Sequence, residues 1–91
     1  MSHPITTSGL TGPDTTTYHQ SGQNTSDWVD THNGAVDARV PDGNKLTTTW
    51  TSAAGAEEVT TTRQLGENDD HFLARHELAY CLAMIDAAPV T

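Results

Sequence analysis

A chain of 91 residues in which 34% are apolar, with four Lys and Arg against twelve Asp and Glu and a net charge of −8, reads as one small domain with a thin core. At this size folding buries about 60–65% of the surface that the unfolded chain exposes. Arg39, Lys45, Arg63 and Arg75 are too few to neutralise a phosphate backbone well, which disfavours direct nucleic-acid binding; no apolar run is long enough to cross a membrane; and Cys81, the only cysteine, cannot form an internal disulfide.

Residues 1–14, MSHPITTSGLTGPD, mix Thr, Ser, Gly and Pro with isolated Ile5 and Leu10 and show no regular periodicity. They are expected to form an N-terminal extended arm, either a flexible tail or a strap that docks on a neighbour through Ile5 and Leu10. The start carries no basic, apolar, small-residue signal, so a cytoplasmic location is expected, or a virion if the chain is phage-encoded. The remaining residues, 15–91, are expected to be a single α+β domain.

Thr15 to Gln20 is rich in β-branched and aromatic residues and reads as a strand. Ser21-Gly22-Gln23 turns the chain and Asn24 caps a helix that runs to about Ala38, with Trp28, Val29, His32, Ala35 and Val36 on one face. A rival reading makes Asn33-Gly34 the turn of a hairpin. That pairing would set Asp30 opposite Asp37, an unfavourable like-charge pair, so the helix is preferred.

Val40-Pro41-Asp42-Gly43-Asn44 has turn chemistry. Lys45–Ser52 and Glu57–Gln64 then read as a hairpin around Ala53-Ala54-Gly55-Ala56, with Leu46, Thr48 and Trp50 on one side and a threonine lattice on the other. A second helix, capped by Asn68 and running to Asp86 or Ala87, carries Phe72, Leu73, His76, Ala79, Tyr80, Ala83 and Met84 on one side. Leu78, Cys81, Leu82 and Ile85 form a second apolar stripe, which needs a partner surface the chain does not itself provide.

The two helical regions resemble each other. Gly22 through Val36 aligns with Gly66 through Tyr80 at a constant spacing of 44 positions, matching Asn24 to Asn68 and His32 to His76. The expected architecture is therefore two-layer β-α-β-β-α: a Thr-rich three-stranded sheet with two helices on one face, built from a duplicated strand-turn-helix unit over 15–39 and 60–87.

No spacing fits a known metal motif, nucleotide loop or catalytic constellation, and no cofactor is expected. His32 and His76 are expected to be packed neutral rings bonded to threonine hydroxyls or backbone carbonyls, ahead of a shared metal site. The leading functional expectation is an acidic structural or interaction protein, a homodimer or higher homo-oligomer joined through Leu78, Cys81, Leu82 and Ile85 or an accessory subunit of a larger assembly such as a virion. The alternative is an acidic inhibitor or nucleic-acid mimic that fills a basic groove. A metal protein or enzyme built on His32 and His76 ranks behind both.

Overall fold

Local sequence chemistry explains most of the elements found in a computed structural model, which describes residues 3–91. In chain order these are β1 (Ile5–Ser8), β2 (Thr15–Thr17), α1 (Thr25–Asp37), β3 (Lys45–Ser52), β4 (Gly55–Thr62) and α2 (Asp69–Asp86). The strands form one antiparallel sheet in the order β2-β1-β3-β4. The architecture is α+β, but the sheet has four strands and not three.

The additional strand comes from the segment expected to be an arm. Met1 and Ser2, where that arm would begin, lie outside the described residues. Ile5–Ser8 pairs with β2 on one side, Thr7 opposite Thr15, and with β3 on the other, Thr7 opposite Thr48. Ile5 is fully buried and Leu10 nearly so, against residues of the same chain and not of a neighbour. Four residues with a single large apolar side chain carry too little alternation to announce a strand; long-range pairing on both edges creates it. Just beyond, Gly9 has φ +94° and lies so near β3 that an added Cβ would sit 2.2 Å from the Lys45 carbonyl oxygen. Only glycine passes there without moving backbone.

The stretch around Asn33-Gly34 is helical. Asn24 accepts a 2.8 Å bond from the Asp27 amide, and Trp28, His32 and Val36 all face inward at spacings of four. That stripe buries two large side chains, which outweighs the cost of about 1 kcal/mol for a glycine within the helix. The β3–β4 hairpin is tighter than its sequence suggested, because pairing continues to Ser52 opposite Gly55 and leaves Ala53-Ala54 as the turn.

Both helices cover one face of the sheet. Ile5 and Thr7 of β1, Thr15 of β2, Leu46, Thr48 and Trp50 of β3, and Thr61 of β4 point into it and are buried. Two apolar clusters fill this space: Ile5, Trp28, Trp50, Tyr80 and Met84 in one, Leu10, Val36, Leu46, Phe72 and Leu73 in the other. Between them runs a strip of buried polar side chains. The uncovered face carries threonines in cross-strand pairs, Thr6 with Thr16 at 3.2 Å and Thr47 with Thr60 at 3.1 Å between hydroxyl oxygens.

Candidate functional site

The buried strip is built from one histidine per helix and one threonine per strand. His32 and His76 occupy the middle of the inward stripes of α1 and α2, and both are fully buried. His32 Nε2 lies 2.7 Å from Thr7 Oγ1, and His32 Nδ1 lies 2.9 Å from Thr17 Oγ1. His76 Nε2 lies 2.8 Å from Thr48 Oγ1, and its Nδ1 lies 2.8 Å from Thr61 Oγ1. Thr7 Oγ1 and Thr48 Oγ1 are themselves 2.7 Å apart, across the β1–β3 seam. Six side chains from six elements thus form one hydrogen-bonded line: Thr17, His32, Thr7, Thr48, His76, Thr61.

Tyr80 stands beside the line, edge-on to both rings at centroid separations of 5.9 and 5.3 Å. Its hydroxyl donates to Asn33 Oδ1. Burial lowers the pKa of both imidazoles to about 4, for His32 with the positive charge of His76 adding to the effect and for His76 with that of Arg75. At neutral pH both rings are therefore uncharged. Every ring nitrogen of the pair already has a threonine partner, so a metal could be bound there only by displacing one.

A second polar group lies where the helices meet. Burial, and then the hydrogen bond and charge of Asp37, raise the pKa of Glu77 to about 8, well above the usual carboxylate range. The Asn33 amide lies 3.8 Å from Cys81 Sγ as donor. Burial raises the Cys81 thiol pKa, which leaves it protonated and a poor nucleophile.

The four residues of the expected interface stripe separate into two groups. Leu78, Leu82 and Ile85 project to solvent, 61%, 56% and 77% exposed. Cys81 instead turns toward α1 and is half-buried against the Trp28 cluster. Ile85 also lines a groove of about 350 Å³ between the helices, with Val29, Asp30, Cys81 and Met84. Both expected caps are in place: Asn68 accepts from the His71 amide at 2.8 Å, as Asn24 does from Asp27.

Glu67, just ahead of the Asn68 cap, has a side chain only 2% exposed. Arg75 holds both carboxylate oxygens at 2.9 and 2.8 Å, the Gln64 amide donates at 3.0 Å, and His71 closes the cluster. With the Arg75 hydrogen bonds as the main cause, its pKa falls to about 2 despite the cost of burial. The sequence contained one usable signal for the threonine partners, since Thr17 and Thr61 are 44 positions apart, as the histidines are. It contained none for Thr7 and Thr48, whose meeting depends on β1 joining the sheet. Compared with protein-family models, with curated proteins and with solved structures, the chain matches none.

Proposed function

We propose that this is a small acidic interaction protein that works as a homodimer, joined through the outward face of α2, alone or as an accessory subunit of a larger assembly. The observation that carries the reading is the exposure of Leu78, Leu82 and Ile85 on a helix whose opposite face is fully packed. The described segments nearest the two termini are engaged elsewhere: Ile5–Ser8 lies inside the sheet, and the Val90 amide donates to the Thr51 carbonyl at 2.7 Å. Burial of such side chains is worth about 1.5–3 kcal/mol each, and a twofold contact lets one stripe cover itself while Ile85 and Leu82 of a partner copy approach the groove beside Met84.

The same proposal includes an origin for the fold as two related halves, each a hairpin followed by a helix. Supporting it, contacts recur 44 positions apart: the turn bonds of Gln23 and Glu67 to Gln20 and Gln64, the Asn24 and Asn68 caps, and the histidine bonds to Thr17 and Thr61.

Sedimentation of the parent protein and of Leu82→Glu tests the association. The parent is expected to sediment as a dimer or higher oligomer and the variant as a monomer, with a melting temperature that no longer depends on concentration. A parent that is monomeric at micromolar concentration and melts cooperatively rules the dimer out. The second reading, an acidic protein that occupies a basic target, is favoured by one observation: Arg39, Arg63 and Arg75 are all engaged within the chain. They are thus less available to offset Asp27, Asp30, Asp70 and Asp86 on the helices. It predicts binding of a polybasic peptide that weakens as salt is raised.

A further inference from the structure

The central line of side chains can be made complete only with a particular count of protons. Between His32 Nε2 and His76 Nε2 lie three links: to Thr7, from Thr7 to Thr48, and from Thr48 to His76. Each link requires one hydrogen, and the two hydroxyls supply two. The third must come from an imidazole. Were both rings protonated on Nε2, four hydrogens would crowd three links; were neither, one link would set lone pair against lone pair.

We infer that His32 and His76 hold opposite tautomers, so that the six side chains donate in one direction from one sheet edge to the other, and that this line accepts one extra proton intact but breaks at the β1–β3 seam on accepting a second. In one direction Thr17 donates to His32, His32 Nε2–H to Thr7, Thr7 to Thr48, Thr48 to His76 Nε2, and His76 Nδ1–H to Thr61. Reversing every donor gives the other direction. A first added proton makes one ring an imidazolium, whose own terminal threonine turns from donor to acceptor, and all five links survive. A second places an N–H at both ends of the Thr7–Thr48 pair, and one hydroxyl hydrogen is left without an acceptor in a fully buried site.

The surroundings reinforce the limit. The strands contribute uncharged threonines to the line, Arg75 of α2 opposes protonation of His76, and the charge of His76 opposes protonation of His32. Tyr80 is neutral, its pKa raised by burial and then by the charges of Glu77, Cys81 and Asp37. The seam itself is short, since β1 and β3 pair through Thr6 with Thr49, Thr7 with Thr48 and Ser8 with Thr47. The device is thus an acid-sensitive joint between the two halves of the sheet.

Long-range proton–nitrogen spectra of the isotope-labelled protein at neutral pH read the tautomers directly. The fractions of Nε2–H at His32 and at His76 should sum to one, whether the rings are fixed as opposites or exchange as the line reverses. Two rings both protonated on Nε2, or both on Nδ1, overturn the inference. In Thr48→Val, which cuts the line, that complementarity should disappear; if it persists, the hydroxyl chain is not its cause. On acidification one ring should become imidazolium with β1–β3 amide protection retained, and protection should be lost with the second. Two imidazolium rings beside an intact β1–β3 pairing would refute the joint.

Discussion

The half of the molecule made by β1, β2 and α1 and the half made by β3, β4 and α2 place similar contacts in similar positions but hold them with different chemistry. His19 packs edge-on against Trp28 in the first, where Arg63 stands 4.7 Å over the Phe72 ring in the second. Gln23 bonds the turn in the first, whereas in the second Glu67 does so and also holds Arg75 and His71. The strands are four and three residues long against eight and eight. Among the described residues, the two buried polar atoms without a hydrogen-bond partner, Thr15 Oγ1 and Trp28 Nε1, both fall in the first half. Position within the frame is thus set by shared turns, caps and histidines, while strength depends on what fills the remaining places. The second half is the better secured.

The largest test of that contrast removes the main aromatic of each half. Trp28→Ala and Phe72→Ala should each cost about 3–5 kcal/mol, measured by denaturant unfolding, since both side chains are fully buried. Loss of a single cooperative transition in Trp28→Ala alone would show the weaker half opening independently.

Next comes Glu67→Gln, which removes the carboxylate at the centre of the second half's ionic cluster. A carboxyl whose folded pKa lies below its unfolded value stabilises the fold fully above the unfolded value of 4.5, and that contribution is lost as pH falls toward about 2. The variant should be less stable at neutral pH and show a flatter decline across that acid window, followed by unfolding midpoints at stepped pH. The histidines act in a different window. Their folded pKa of about 4 lies below 6.5, so the unfolded chain takes up protons first and stability falls as pH drops from 6.5 toward 4.

Smaller effects come from the helix starts. Asn24→Ala and Asn68→Ala should each destabilise by about 0.5–2 kcal/mol, and a marked inequality would show that the two caps, alike in geometry, differ in what they support. The smallest change should be a gain. Gly34 is exposed within α1 and an added Cβ there meets nothing within 4 Å, so Gly34→Ala should stabilise by about 0.5–1 kcal/mol in thermal or denaturant melts.

Both helices, their asparagine caps, the β3–β4 hairpin and the inward placement of His32 and His76 were legible in the chain itself, because each rests on residues within one or two turns of one another. Capping needs three residues, and a helical face needs a spacing of four. Tertiary structure alone decided that Ile5–Ser8 is a central strand, that Cys81 faces α1 while Leu78, Leu82 and Ile85 face solvent, and that two threonine hydroxyls meet between the histidines. Those outcomes depend on partners 41 positions away for Thr7 and Thr48, and 48 for Asn33 and Cys81. Their energies exist only once the intervening chain has closed, and a pattern read along the sequence has no access to contacts that distance in space, not in sequence, brings about.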